Sequence, residues 1–429
     1  MSQRPRLLFL AQTLPYPPDA GVAIRTYHVL RLLASAFDVT ALCFYRAKST
    51  RTDAALDRGV EALRRFGQVE AFPIPQEHSS VRLAGDHLRS LLRRRVYTVP
   101  AYESAAFRAR LDAHLATSHF DLVHLDSLDL SGYLPRVLQA APVVCVHHNV
   151  ESQLLRRRAA TEAAGWRRRY LLHQAGLMER EERRWCARLA LNVVVSEPDR
   201  RELSRLVPEG RFTVVPNGVD VESFQPAREG KAEEGMVFVG GTNWFPNRDA
   251  LTYFSEEILP LLRAAGEEAP VSWVGHATEE ERRSFAEQHG IELTGYVDDI
   301  RPRVHDAACY VVPLRVGGGT RLKVLDAWAM GKAVVSTSVG CEGLHAVDGE
   351  NVLLRDTPSG FAEAVRAVLH DGELRRRLRR EARRTAEELY SWKMIGERMV
   401  AEYQALLGGD GEPRAAAPAR DSRVKEAYR

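Results

Sequence analysis

Cysteine is scarce and poorly placed for pairing. The five residues, Cys43, Cys145, Cys186, Cys309 and Cys341, are odd in number, scattered, and never in C-x-x-C spacing. That pattern argues against a disulfide framework and a structural zinc site, and suits a reducing cytosol. No run reaches the roughly 18 apolar residues that a membrane span requires. The opening MSQRPRLLFLAQTLPYPP holds an apolar stretch too short for a secretory signal and no small-residue cleavage site. Excess charge is also lacking: the net value of +3 gives no reason to expect a nucleic-acid partner. There is no internal repeat beyond two β/α halves. With 45% apolar and 27% charged residues, the composition is that of a soluble globular protein, and 429 residues suffice for two ordinary domains.

The densest chemistry lies in Val311 to Gly343, VVPLRVGGGTRLKVLDAWAMGKAVVSTSVGCEG. A strand-like run, Tyr310 to Leu314, meets Gly317, Gly318 and Gly319, with Thr320 as an expected helix N-cap. Leu322, Leu325 and Ala329 recur at helical spacing up to Gly331, an expected C′ residue, and Ala333 to Thr337 reads as a second buried strand. Glycines let the backbone approach a ligand, and a helix start offers N–H groups and a positive dipole end. Arg321 and Lys323 add charge there, so a phosphate is the expected guest, with Asp326 in reach of a neighbouring sugar hydroxyl. A tight βα turn without a ligand has the same local pattern. The loop fits neither the P-loop nor the G-x-G-x-x-G dinucleotide spacing.

The amino-terminal half opens as βαβ: a strand over 6–11, a proline-rich loop ending at Gly21, a helix over about 22–36, and a strand over 37–44. This predicts a parallel, doubly wound sheet with ligands at the carboxyl ends of its strands. Gly21 then faces the ligand crevice or merely makes the turn, and Arg25 follows one helical turn later. Strands are expected at 121–125, 142–146, 191–196 and 212–216. The second of these runs into His147-His148-Asn149-Val150-Glu151 and the fourth into Asn217-Gly218-Val219-Asp220. A histidine pair at a strand's carboxyl end points to function more than a single histidine does, and no third ligand stands at metal-site spacing. For Asn217 and Gly218 a tight turn is an equal reading. Residues 154–189 form one or two arginine-rich helices in which Trp166, Tyr170, Leu177, Met178, Trp185 and Leu189 recur at helical spacing. Such a helix either lies on an anionic membrane or packs its stripe on the core with an ion-paired outer face.

Pro226 to Gly235 is polar and reads as a linker. A second β/α unit begins at the strand 236–239, followed by Gly240, Gly241, Thr242, Asn243, Trp244, Phe245, Pro246 and Asn247. A helix over about 249–264 and strands at 271–274 and 291–294 follow, the latter leading to Gly295, Tyr296 and Val297. Residues 391–407 form a last amphipathic helix, and 408–429 are expected to be disordered.

Taken together, these strings resemble the retaining glycosyltransferases of family four over about residues 5–407. Many members read G-x-x-x-K-x-x-E-A-x-A-x-G-x-P-V-V where this chain has Gly319, Lys323, Asp326, Ala327, Ala329, Gly331, Val334 and Val335. HNVES, PNGVD and the segment from Trp244 to Asn247 add to the likeness. The resemblance implies an α/β GT-B fold: two Rossmann-like domains facing a cleft, residues 1–225 on the acceptor side and 226–390 on the nucleotide-sugar side, with helix 391–407 crossing back. It implies transfer of a sugar from a nucleotide diphosphate sugar, UDP- or GDP-linked, to a hydroxyl of a sugar or lipid-linked acceptor, with retention of configuration, no metal and no other cofactor. Polysaccharide or glycolipid assembly in the cytoplasm, with contact at the inner membrane face through 154–189, completes the expectation.

By the same resemblance His148, paired with Asn149, meets the donor sugar. Gly21 and Arg25 lie near the donor phosphates, and Tyr296 and Val297 offer backbone to the base. Gly318, Gly319 and Thr320 line the phosphate loop, and Asp326 holds the ribose. Two departures stand out. Gly318 occupies the place of a donor-sugar glutamate, and Asp326 is one methylene shorter than the usual second glutamate. Gly241 stands where relatives carry an arginine and Asn247 near their lysine, so Arg321 and Lys323 must supply the charge. A nucleotide-binding relative without activity, a membrane-surface scaffold and a GT-B nucleotide-sugar epimerase are the alternatives.

Overall fold

The computed structural model describes residues 4–18, 21–46, 53–75, 80–228, 233–317 and 321–408. The chain divides into two compact units, Met1–Pro216 with Gly396–Arg429, and Asn217–Ile395.

The first unit is built on seven parallel strands: β1 (Arg6–Ala11), β2 (Asp38–Tyr45), β3 (Gln68–Pro73), β4 (Leu122–Leu125), β5 (Val143–His147), β6 (Leu191–Val194) and β7 (Phe212–Val214). Their order is β3-β2-β1-β4-β5-β6-β7. β1, β4 and β5 are buried along nearly their whole length, as near-continuous apolar strands covered on both faces must be. In register, Phe9 of β1 stands beside His124 of β4, and Leu125 beside Cys145 of β5. Helix α1 (Gly21–Leu33) leaves the carboxyl end of β1. Helix α2 (Ser80–Arg93) follows β3. The arginine-rich stretch forms two helices, α3 (Glu151–Thr161) and α4 (Trp166–Cys186), separated around Gly165 at φ 158°.

The second unit has six parallel strands, β8 (Met236–Val239), β9 (Val271–Val274), β10 (Ile291–Leu293), β11 (Cys309–Val312), β12 (Val334–Ser336) and β13 (Leu353–Leu354), in the order β10-β9-β8-β11-β12-β13. Helix α5 (Phe245–Tyr253) follows β8, and α6 (Leu322–Ala329) joins β11 to β12. Each sheet reverses its order beside its first strand, the kind of switch point where open α/β sheets bind ligands.

The division at Pro216 falls before the boundary expected at 225, for a local reason. Val219 N–H donates to the Tyr390 carbonyl at 2.8 Å and Trp392 N–H to the Val219 carbonyl at 3.3 Å. Gly218 lies so close to the Trp392 indole that a Cβ would come within 2.6 Å of it. The expected linker is also fastened at its end: Glu233 accepts from Lys332 and from Arg379, each at 2.8 Å. The last helix, α7 (Trp392–Leu407), returns the chain to the first unit. There Gly396 fits against Leu32, Glu402 accepts from the Thr213 hydroxyl at 3.0 Å, and Tyr403 is fully buried. The expectations for Gly318, Gly319, Thr320 and the tail 409–429 fall outside the described residues.

Candidate functional site

In the second unit the site grows from the ends of β8 and β9. Gly240 takes φ 153° and Gly275 φ 142°. A Cβ on Gly275 would come within 2.7 Å of the Gly241 amide nitrogen, so the two strand ends meet backbone to backbone. A Cβ at Gly241 would stand 2.6 Å from Asn243 Oδ1 and 3.0 Å from the His276 nitrogen, so the loop is tight at the place where relatives carry an arginine. The charge comes from α6. Lys323 Nζ donates to Asn247 Oδ1 at 2.7 Å and lies 3.9 Å from the centre of the Phe238 ring. Asn247 Nδ2 in turn donates to the Gly241 carbonyl at 2.9 Å. A Cβ on Gly240 would stand 2.8 Å from Lys323 Nζ. Glycine at 240, asparagine at 247 and lysine at 323 thus make one ammonium seat against the strand end.

Burial, helped by Arg321, pushes the Lys323 ammonium well below the usual lysine range. An anion at this seat would reverse the shift, because it favours the charged form. Arg321 is turned inward: its Nε donates to the Val339 carbonyl at 3.1 Å and its Nη2 lies 3.6 Å from Glu342 Oε2. Gly317, at φ 147°, makes room for that guanidinium, since a Cβ would come within 2.8 Å of Nη1. Helix α6 starts at Leu322, with Arg321 as the flanking residue. Asp326, one turn beyond Lys323, is half-buried, and burial raises its carboxyl to about 7. Among the described residues its carboxyl makes no hydrogen bond or ion pair, while its backbone carbonyl accepts from the Met330 amide at 3.0 Å. Tyr296 is 73% exposed on the turn after Gly295, whose carbonyl accepts from the Gly275 amide at 3.2 Å, while Val297 packs on the core. Trp244 and Phe245 are exposed at the start of α5.

In the first unit the two histidines part ways. His147 is buried, shares a hydrogen bond with Asn192 Oδ1 at 3.0 Å, and is pushed down to about 4 by burial, so it is a neutral core residue. His148 turns to the carboxyl end of β4, with Nε2 3.6 Å from Asp126 Oδ2. Asp126 is fully buried at the centre of a cluster. The Thr26 hydroxyl donates to its Oδ2 at 2.6 Å, and His124 Nε2 lies 3.5 Å from its Oδ1. His124 is stacked on Phe9 and shares a 2.7 Å hydrogen bond with the Tyr403 hydroxyl. Burial alone would raise the Asp126 carboxyl, but attraction to His148 and His124, 3.6 and 3.5 Å away, holds it far below the usual range. Asn149 Nδ2 donates to Glu151 at 3.2 Å, and burial, with Asp129 nearby, lifts the Glu151 carboxyl to about 8.

Gly21 begins α1 and is exposed. Arg25 is buried, and its guanidinium donates to the carbonyls of Val215 at 2.9 Å and Pro216 at 3.0 Å. It ties α1 to the chain after β7, and its charge is held within the protein. Asp126 escaped the sequence reading. Its signal was the last letter of DLVHLD, an acid at the carboxyl end of the strand beside β5.

Two family models match the chain: Glycosyltransferase Family 4 over residues 20–223 and Glycosyl transferases group 1 over residues 233–371. A glycogen synthase of Mycobacterium tuberculosis is 24% identical over 302 residues, 66% of this chain and 70% of that one. A phosphatidyl-myo-inositol mannosyltransferase of the same species is 25% identical over 206 residues, 45% of this chain and 54% of the other. Among solved structures, sucrose-phosphate synthase from Thermosynechococcus elongatus superimposes with a TM-score of 0.65 at 16% identity, covering 94% of this chain and 99% of that one. Anabaena HepE in complex with UDP gives 0.63 at 14% identity, over 93% and 100%. The chain belongs to the family 4, group 1 glycosyltransferases and has their GT-B fold.

Proposed function

We propose that the protein transfers a glycosyl group from a nucleoside diphosphate sugar to an acceptor hydroxyl, with retention of configuration and without a metal. The observation that carries the donor site is the seat formed by Lys323, Asn247 and the Gly240-Gly241 turn, with Asp326 one turn further along the same helix. A diphosphate against Lys323 restores its charge and gains a charge-assisted hydrogen bond. Arg321 lies beneath and adds positive potential without leaving its contacts to Val339 and Glu342. The start of α6 contributes its dipole. The Asp326 carboxylate accepts the ribose hydroxyls.

The demanding event is departure of the diphosphate while positive charge develops at the anomeric carbon. Fixed positive charge on the leaving phosphates is the efficient way to lower that barrier. On the acceptor side His148, backed by the Asp126 carboxylate, is suited to support the developing charge or to position the sugar. Retention follows from the family resemblance, with the leaving phosphate itself receiving the acceptor proton. That UDP accompanies HepE makes UDP-sugars the first donors to screen. The acceptor class, a growing glycan or a glycolipid, rests on the resemblance alone.

The test is turnover of a UDP- and GDP-sugar panel with and without EDTA, with the product's anomeric coupling read by NMR. Acceptor-dependent product with the donor's configuration, unaffected by EDTA, is expected. Release of an altered sugar without an acceptor would make the protein an epimerase instead. Binding of nucleotide without any turnover would make it a non-catalytic relative.

A further inference from the structure

Helix α2 is built inside out. Its inward face is polar: Asp86 is fully buried and paired with Arg82 and Arg89 at 3.3 Å each. Ser90 exchanges hydrogen bonds with the buried Gln174 of α4 at 3.3 and 2.9 Å, and His87 bonds to the Tyr170 hydroxyl. Its outward face is apolar. Val81, Leu88 and Leu92, spaced by seven and four residues on one helical stripe, are 82%, 58% and 75% exposed, and Leu91 beside them is 48% exposed. An ordinary surface helix has the reverse arrangement. Large apolar side chains aligned on one outward stripe mark a surface that is covered in use.

We propose that this stripe docks on a lipid surface bearing anionic headgroups. The occupant follows from the charge around it. Arg94 is exposed just past the helix, and Arg89 stays half exposed beside the stripe while it pairs with Asp86. Where His87 meets Tyr170, α4 runs back one turn to the exposed Trp166 and to Arg167, Arg168 and Arg169, all exposed. An apolar stripe with a cationic collar and an aromatic side chain fits the boundary between acyl chains and anionic headgroups. A second copy fits poorly, because pairing this face with itself would bring two arginine collars together. The rest of α4 is not available for the same purpose: Leu177, Met178 and Trp185 are buried in the core of the unit, and Glu179 pairs with Arg183 of the same helix and with Arg156 of α3. The proposed contact therefore joins α2 to the first turn of α4, which is part of the stretch 154–189 where a membrane contact is expected from the sequence. This inference stands apart from the donor site, whose residues all lie in the second unit.

The full chain is sedimented with vesicles of phosphatidylcholine containing phosphatidylglycerol, and with phosphatidylcholine alone. Binding to the anionic vesicles only is expected. Leu88→Glu with Leu92→Glu should lower the partition at least about tenfold, and so should Leu88→Ser with Leu92→Ser. Each of Arg167→Ala, Arg168→Ala and Arg169→Ala should lower it by about fivefold. Leu261→Glu, at an exposed position in the second unit, should leave it unchanged. Thermal melting checks that each variant folds. Absence of binding, equal binding to neutral vesicles, or binding indifferent to the two leucine pairs would overturn the proposal. So would a dimer in light scattering that the leucine pair dissociates without any vesicle binding, which would assign the face to a second copy.

Discussion

Asp326→Asn separates stability from ligand binding in a way that no purely structural role of this residue would. Burial lifts the carboxyl from 3.8 to about 7. The unfolded chain gives up the proton near 3.8, so between about pH 4 and pH 7 the folded state holds a proton that the unfolded state has lost. The contribution to stability is intact below pH 4 and falls as pH rises through about 7. At 1.36 kcal/mol per pH unit the ceiling is about 4 kcal/mol. Solvent screening at a half-buried group brings it to about 2 kcal/mol. Asparagine keeps the shape and cannot ionise. The variant should melt with the wild type at pH 4 and about 5 °C above it at pH 8, read by scanning calorimetry. Nucleotide binding should move the opposite way. The ribose hydroxyls prefer the carboxylate, and Lys323 regains its proton on binding in either protein. The ratio of wild-type to variant affinity for the nucleoside diphosphate therefore isolates Asp326 and should rise from pH 6 to pH 8, to at least about tenfold. Equal melting at pH 8 would refute the burial argument, and full affinity in the variant would refute the assignment to the ribose.

Four further predictions follow from the geometry. Gly240→Ala should weaken nucleotide binding at least about tenfold in titration, because the new methyl meets Lys323 Nζ at 2.8 Å and Asn247 Nδ2 at 2.5 Å in a backbone region that side chains avoid. Tyr403→Phe removes the hydroxyl partner of His124 and should cost about 1–2 kcal/mol in denaturant unfolding while leaving nucleotide affinity unchanged. Asp126→Asn should cost about 3 kcal/mol, since it unbalances the buried cluster of Thr26, His124 and His148. His148→Ala should leave the melting temperature near wild type and lower turnover by about a hundredfold, measured as product release from the donor identified by the panel.

How much was legible depended on how local each feature is. β8 and β9 were readable to the residue, because short apolar runs bounded by polar linkers and glycine carry their own signal. β3 was missed: in QVEAFP the apolar residues are interrupted by Glu70, which accepts from Arg110 and His114 far along the chain. β13 is two residues long, below what periodicity can register. The proposed phosphate seat was half readable. Lys323 and the glycines announce an anion, whereas its partner Asn247 stands 76 positions away. Asp126 and Thr26 are 100 positions apart, and only the sheet order β1-β4-β5 brings them together with His148. Arg25 read as a ligand-facing charge because a helix start beside a glycine suggests it. Its carbonyl partners, 190 and 191 residues later, were beyond any local pattern.

The account turns on Lys323 as the cation that meets the donor diphosphate. Calorimetric titration of the wild type and of Lys323→Met with UDP and with GDP tests it directly. The methionine keeps the side-chain length and the contact with Phe238 while removing the charge. One nucleotide should bind the wild type, and the variant should lose that binding while melting as the wild type does. Undiminished binding to Lys323→Met, or no binding of either nucleotide to the folded wild type, would contradict the donor site.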